Sequence, residues 1–153
     1  MPLQLNRLRL DQVERALAPH QALSGKRMPS GGWLRAVREA LGRTSRVQAE
    51  RLGINASTLH QSEAAEASGR ITLTQLRKLA EGLDCELVYG LVPRESLSAT
   101  VEAQAERRAR QEVLGVAHSM SLEAQRPSDP FVEQQVAQRR EDLLAGSWSR
   151  LWQ

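Results

Sequence analysis

The stretch from Ser45 to Glu63 places the strongest constraint on the fold, because two short helical patterns stand on either side of a single glycine. The apolar positions of the first helix are Val47, Ala49 and Leu52. This helix is predicted to end at Gly53, and Asn55 can cap a second helix whose clearest core residue is Leu59. Two short helices joined by a tight turn predict a helix-turn-helix, in which the second helix lies in the major groove of DNA.

Helices are also predicted on the N-terminal side of this stretch. Apolar residues at helical spacing predict an amphipathic helix near residues 5–18, followed by a linker rich in Pro, Gly and Ser that carries Lys26 and Arg27. The linker is either a plain tether or a basic arm that touches DNA. The next predicted helix covers residues 33–41 and ends before Gly42. Its apolar face consists of Trp33, Leu34, Val37, Ala40 and Leu41, and its charged face of Arg35, Arg38 and Glu39.

Three more helices are predicted after the central stretch. Thr72 can cap the first, which turns Leu76, Leu79, Ala80 and Leu83 inward. A long helix is predicted over residues 97–120, and a last one begins with Asp129 as its cap and ends at Gly146. Two tryptophans, Trp148 and Trp152, follow, and this much apolar surface predicts that the segment docks on its own protein or on a partner.

Residues 85–92 change from helical spacing to alternation, which predicts a β-strand that Pro93 ends. One face of this strand consists of Cys85, Leu87, Tyr89 and Leu91. No second strand is visible in the sequence, and a lone strand leaves backbone groups unpaired. Pairing with the same strand of a second subunit would satisfy them, so we predict a homodimer. The alternative is a short extended segment without a ladder. Cys85 is interpreted as a core residue.

Positive charge is concentrated in the first third of the chain. Residues 1–53 hold ten Lys or Arg against four Asp or Glu, whereas residues 54–153 hold eleven against fourteen. A localised basic surface is typical of a protein that binds phosphates. Nineteen of the twenty-one basic residues are arginine, however, and a compositional bias toward arginine would give the same pattern.

No enzymatic motif is present, and we expect no catalytic residue, metal or cofactor. The three histidines are widely spaced, and the sequence lacks HExxH, CxxC, a glycine-rich phosphate loop and GxSxG. A single cysteine excludes an internal disulfide, and no apolar run is long enough to cross a bilayer. The sequence therefore predicts a cytoplasmic protein.

The second helix of the motif supplies the candidate DNA contacts. The residues expected to face base edges are Ala56, Ser57, Thr58, His60 and Gln61, and those expected to hold phosphates are Arg43, Ser45, Arg46 and Asn55. Gln61 can make paired hydrogen bonds to adenine, and Ala56 can contact the thymine methyl group. A helix N-terminus with arginine beside it suits a phosphate. Each of these residues could instead be an ordinary solvated surface residue.

The sequence resembles two known families, one over the central stretch and one over most of the chain. Residues 44–83 resemble the Cro/C1-type (XRE-like) helix-turn-helix domain. A wider set of motifs resembles the family called mobile mystery protein A: GGWLRAVREALG at 31–42, RLGINASTLHQSEAAEASGRITL at 51–73, LDCELVYGLVP at 83–93, HSMSLEAQ at 118–125 and the closing RLWQ. The resemblance implies a small regulator encoded beside a Fic-domain protein, often on mobile elements, in an arrangement like an antitoxin with its toxin.

Three positions qualify the resemblance. Position 48 is usually an apolar core residue in such domains and is Gln48 here, with Val47 a candidate to replace it, while Ser62 stands where a large apolar residue is usual. Fic proteins are commonly restrained by a helix with Ser or Thr, three residues, Glu, then Gly or Asn. Ser119 and Glu123 have that spacing, although Ala124 occupies the final position.

The sequence thus predicts a mainly α, Cro/C1-type (lambda repressor-like) helix-turn-helix bundle with one short β-strand and a C-terminal helical extension. The predicted segments are an N-terminal helix and linker (1–30), the DNA-binding domain with its strand (31–93) and an extension for dimerisation or partner binding (94–153). The expected function is a dimeric, autoregulatory, sequence-specific DNA-binding regulator paired with a Fic-domain protein. The alternatives are a protein-binding module that does not read DNA, and a solitary phage-type repressor.

Overall fold

A computed structural model describes residues 2–122 and 128–153, and most of these residues are helical. The α-helices are α1 (Pro2–Leu17), α2 (Trp33–Ala40), α3 (Ser45–Leu52), α4 (Ala56–Ala67), α5 (Leu73–Glu81), α6 (Leu97–Leu122) and α7 (Asp129–Ala145). Two short 3-10 helices cover Ala18–Leu23 and Trp148–Trp152. The predicted mainly α character is confirmed. No helix in the described ranges is long and apolar enough to span a membrane.

The chain folds as two compact units. Residues 23–90 form one unit, called the central unit below, and residues 1–22 with 91–153 form the other, called the terminal unit. The N-terminal helix α1 therefore belongs to the same unit as the C-terminal helices, where it contacts α6 and α7.

Polar side chains determine where the helices of the central unit begin. The Oγ1 atom of Thr44 accepts from the backbone N–H of Val47, Asn55 Oδ1 accepts from Thr58, and Thr72 Oγ1 accepts from Gln75. Each bond satisfies a backbone N–H that the first turn of a helix leaves free. The predicted caps Asn55 and Thr72 act as expected. The apolar core joins α2 to α5 through Leu34, Leu79 and Leu83, with Val37, Leu52, Ile71 and Leu76 around them.

The terminal unit is built on the long antiparallel pair of α6 and α7. Its buried core consists of Ala105, Ala109, Val136, Leu143 and Leu151. Small alanines on α6 allow the two helices to approach closely. Leu151 lies on the 3-10 helix after α7 and is fully buried, so this segment docks on its own unit. Trp148 donates its indole N–H to Leu144 O at 2.9 Å, whereas Trp152 is 57% exposed.

Residues 85–93 do not form the predicted strand. The structure shows no strand or bridge in the described part of the chain, and these residues have no regular secondary structure. The sequence contains no second strand to pair with them, so the single chain supplies no ladder. Cys85 is exposed and is not the core residue that was predicted, and Tyr89 and Leu91 are 62% and 76% exposed. Leu87 is half-buried.

Candidate nucleic-acid interface

A tight turn joins α3 to α4. Gly53 ends α3 with φ 66°, a left-handed conformation that glycine adopts without a steric penalty. The N–H of the next residue, Ile54, donates to Ala49 O at 3.0 Å and closes the turn. Ala49 and Leu59 are 2% and 3% exposed, so the small residue of α3 and the predicted anchor of α4 both lie in the interior. The helix–turn–helix arrangement predicted for residues 45–63 is present.

A buried ion pair fastens α4 to α2. Arg38 donates from Nε to Glu63 Oε1 at 2.6 Å and from Nη2 to Oε2 at 3.1 Å, and Nη1 donates to Arg43 O at 3.0 Å. The hydrogen bonds that Arg38 donates to Glu63 raise the pKa of the Arg38 guanidinium and keep it charged. Arg38 was wrongly predicted on the solvated face of α2; its side chain is 7% exposed. Both oxygens of the Glu63 carboxylate are thereby bonded inside the unit.

A second carboxylate of α4 caps the start of α2. The two oxygens of Glu66 accept from the backbone N–H groups of Trp33 at 3.0 Å and Leu34 at 2.8 Å. A carboxylate at a helix N-terminus satisfies free N–H groups and interacts favourably with the helix dipole. Trp33, predicted in the apolar face, is 55% exposed. The role of Glu66 is not predictable from local sequence, because the capping residue lies 33 positions after Trp33.

Gln48 occupies the core position at which an apolar residue was expected. It is 1% exposed, donates from Nε2 to Gly82 O at 2.8 Å, and accepts from Arg43 Nη1 at 3.1 Å. Both ends of the amide are thus hydrogen-bonded, which offsets the cost of burying it. Val47 does not replace it in the core, since Val47 is 46% exposed. Ser62, the other unusual position, is half-buried.

The outward face of α4 carries no acidic group. Ser57, His60 and Gln61 are exposed, and Ala56 and Thr58 beside them are half-buried. Both glutamates of this helix, Glu63 and Glu66, are turned inward, as the contacts above show. The nearest carboxylate oxygen to the His60 ring, Glu63 Oε2, lies 4.0 Å from Nδ1. The five predicted base-contact residues therefore lie together on a polar, uncharged stretch of one helix.

The predicted phosphate-contact residues have different surroundings. Arg43 is held inside the unit: Nη1 donates to Gly82 O at 3.2 Å and Nη2 to Asp84 Oδ2 at 3.0 Å. Arg46 is 86% exposed and pairs with Glu50 at 3.0 Å on the same helix. Asn55 uses its side-chain oxygen for the helix cap, and Ser45 is half-buried in the first turn of α3.

In the terminal unit, an open groove of about 340 Å³ lies between α6 and α7. Its walls are mainly apolar, and the exposed apolar residues that line it are Val116, Met120 and Phe131. Ser119 is exposed near the end of α6 and donates to Gly115 O at 3.2 Å. Glu123, its predicted companion in restraining a partner, lies outside the described residues. Within those residues, no cluster of His, Cys, Asp and Glu could hold a metal ion.

Comparison of the chain with protein-family models, with curated proteins and with solved structures finds no match.

Proposed function

We propose that the central unit is the DNA-binding domain of a sequence-specific transcriptional regulator and binds double-stranded DNA with α4 in the major groove. The observation that carries the proposal is the outward face of α4, next to the turn at Gly53. A helix in the major groove lies close to phosphates on both sides, and an exposed carboxylate there would repel them. Both carboxylates of α4 are hydrogen-bonded inside the unit, so the outward face presents hydroxyl, imidazole and amide groups.

These groups match the chemistry of base edges. Gln61 can form a bidentate pair with adenine, Ser57 can bond to either kind of base edge, and the Ala56 methyl suits thymine. Phosphates would be held by the first turn of α3 at Ser45 and by Arg46. Arg43 is left out of this set, because its guanidinium is already bonded to Gly82 and Asp84 within the unit.

The regulator proposed here is a cytoplasmic homodimer that controls its own gene. Support for dimerisation comes from residues 85–91, where Val88, Tyr89 and Leu91 expose apolar surface and no ladder partner is found among the described residues. Strand pairing between two copies would cover these residues and satisfy their backbone groups. Two DNA-binding domains related by a two-fold axis would then bind two half-sites of a palindromic operator.

A second candidate is a protein-binding module that restrains a partner without reading DNA. The apolar groove between α6 and α7 favours it, because exposed apolar concavities mark sites of protein contact. By the resemblance to mobile mystery protein A, the partner would be a Fic-domain protein, and the two functions can coexist in an antitoxin-like regulator. A solitary phage-type repressor differs only in lacking that partner, and the gene next to this one distinguishes the two.

The test is a titration of the full chain against the DNA upstream of its own gene, at several salt concentrations. We expect specific binding whose affinity falls steeply as salt rises, because phosphate contacts release counterions. Gln61→Ala should cost about 1–3 kcal/mol of binding free energy and relax the preference at one base pair. Gln111→Ala is the matched control, since Gln111 is an exposed glutamine on α6 of the terminal unit.

If Gln61→Ala and Gln111→Ala lose the same binding affinity for DNA, α4 does not contact the bases. Salt-independent or undetectable binding by the unmodified chain would leave the protein-binding module as the better reading.

A further inference from the structure

The ten basic residues of the central unit divide evenly according to whether the fold neutralises them. Five lie within 4.0 Å of a carboxylate oxygen: Arg35, Arg38, Arg43, Arg46 and Arg51. The other five have no carboxylate partner in the described structure: Lys26, Arg27, Arg70, Arg77 and Lys78. A cation that the protein has already paired gains less from a phosphate than an unpaired one. The unpaired residues are therefore the better candidates for phosphate contacts.

Arg70 differs from the other four because it lies in the turn that ends α4. Gly69 adopts φ 72°, and the N–H of Arg70 donates back to Ala65 O at 2.8 Å. This is the 6→1 bond of a helix C-terminus closed by a left-handed residue. Arg70 thus follows the proposed reading helix directly, at a position that the end of α4 determines.

The side chain of Arg70 is fixed as well. Its Nε donates to Ser68 Oγ at 3.1 Å, and the Ser68 hydroxyl donates in turn to Ala65 O at 3.2 Å. Neither terminal nitrogen of the guanidinium has a protein acceptor in the described structure. Because the residue is exposed, both nitrogens are accessible to a ligand. Two free terminal nitrogens form the planar fork that matches two oxygens of a phosphate. Immobilising the side chain beforehand reduces the entropy lost on binding.

We propose that Arg70 binds a backbone phosphate of the DNA at the C-terminal end of α4, and that Ser68 is the positioning residue that aims it. This inference rests on the proposed function and adds to it a contact outside the helix pair. A contact of this kind carries no base preference but fixes how deeply and at what angle α4 enters the groove.

The experiment measures the affinity of the full chain for a duplex of unrelated sequence and for its upstream DNA, as a function of salt. Arg70→Ala should weaken binding to both duplexes about eightfold at 0.1 M salt and should reduce the slope of log affinity against log salt by about 0.9. Arg70→Lys should retain the slope with a smaller loss of affinity, because the charge remains and the fork is gone.

Arg107→Ala is the matched control for the loss of one positive charge. Arg107 is an exposed arginine of α6, and within the described residues its guanidinium bonds to the amide oxygen of Gln104 alone, from Nε at 3.1 Å and Nη2 at 2.7 Å. It lies in the terminal unit, so its removal should leave the salt slope unchanged.

The role of Ser68 is tested by a double-mutant cycle. Ser68→Ala should weaken binding about twofold to threefold with an unchanged salt slope, and should have no effect when Arg70 is already alanine. Thermal unfolding of the variants, compared with the unmodified chain, separates this from a loss of fold. An effect of Ser68→Ala that persists without Arg70 would overturn the positioning role.

The possible failures are distinguishable. If the unmodified chain binds DNA with a steep salt slope and Arg70→Ala matches Arg107→Ala, the Arg70 contact is wrong and the proposed function stands. If the unmodified chain shows no salt-dependent binding, both proposals are wrong.

Discussion

The two units of this protein keep their helices together by different means. In the described structure, every buried polar or charged side chain belongs to the central unit: Arg38, Gln48, Glu63 and Glu66. The buried residues of the terminal unit are all apolar, and its ion pairs lie nearer the surface. The helices α2 to α5 have 8 to 12 residues each, whereas α6 and α7 have 26 and 17.

Helix length explains the difference. Helices of two or three turns are marginal alone and offer little apolar area, so a few directional bonds determine how each one is rotated. Long helices gain enough contact along their length from apolar packing. In the central unit, the rotation of α4 decides which side chains face outward. Three of the buried polar groups, Arg38, Glu63 and Glu66, set that rotation directly.

Among substitutions that test this difference between the two units, Glu63→Ala is expected to cause the largest loss of stability. The substitution removes both carboxylate oxygens that are hydrogen-bonded to the buried Arg38 guanidinium and leaves only the exposed Glu39 carboxylate, 4.0 Å away, beside it in the described structure. This should lower the free energy of unfolding of the central unit by about 3–5 kcal/mol. Trp33 is the one tryptophan of that unit, so denaturation followed by its fluorescence in a Trp148→Phe/Trp152→Phe background reports on the central unit. Glu50→Ala is the control: it removes a carboxylate from an exposed pair with Arg46 in the same unit and should cost less than about 1 kcal/mol. Similar losses in the two variants would show that the buried pair has no special weight.

A cavity in the terminal unit should have the next largest effect. Leu151→Ala removes a fully buried side chain from between α6 and α7 and should cost about 2–5 kcal/mol. In a Trp33→Phe background, Trp148 and Trp152 report on this unit. Leu114→Ala, at a position 48% exposed on α6, is the matched control and should be much milder. A mild Leu151→Ala would mean that the terminal segment contributes little to the unit.

Low pH should weaken the surface ion pairs of the terminal unit. The resulting loss of stability should be smaller than that expected for Glu63→Ala or Leu151→Ala. Arg139 beside Glu112 and Arg110 beside Glu133 hold the pKa values of these carboxyls below the usual range. The hydrogen bond from the Ser98 backbone N–H does the same for the pKa of Glu14. A lowered folded-state pKa stabilises the protein above the unfolded value of about 4.5, and this stability is lost as pH falls through the folded value. Unfolding curves of the Trp33→Phe variant from pH 6 to pH 3 should show the loss, and Glu112→Gln should flatten it.

Much of the central unit could be predicted from sequence because its signals are local. The caps Asn55 and Thr72 and the turn at Gly53 each act within a few residues. The errors involve partners far apart in sequence. Arg38 and Glu63 are 25 positions apart, and Gln48 bonds to Gly82 34 positions away. Periodicity assigns a charged or amide side chain to the solvated face unless its distant partner is known.

The predicted strand failed for a related physical reason. Alternating apolar residues at 85–92 meet the pattern of a strand, but a strand exists only where a second one pairs with it. The surroundings of the candidate DNA contacts follow the same logic. The exposure of Ser57 and Gln61 follows from helical spacing. The hydrogen bonds of the Arg43 and Arg70 guanidinium groups depend instead on where the fold places Asp84 and Ser68.

The carboxylate of Glu66 also has a consequence for the order of folding. An eight-residue helix such as α2 has little tendency to form alone, and its first N–H groups stay unpaired until Glu66 arrives. Glu66 lies in the last turn of α4, so it arrives only after α4 has formed nearly to its end. Completion of the later helix is thereby a condition for stability of the earlier one. A nascent chain that has not yet emerged as far as residue 66 therefore lacks the group that holds the start of its second helix.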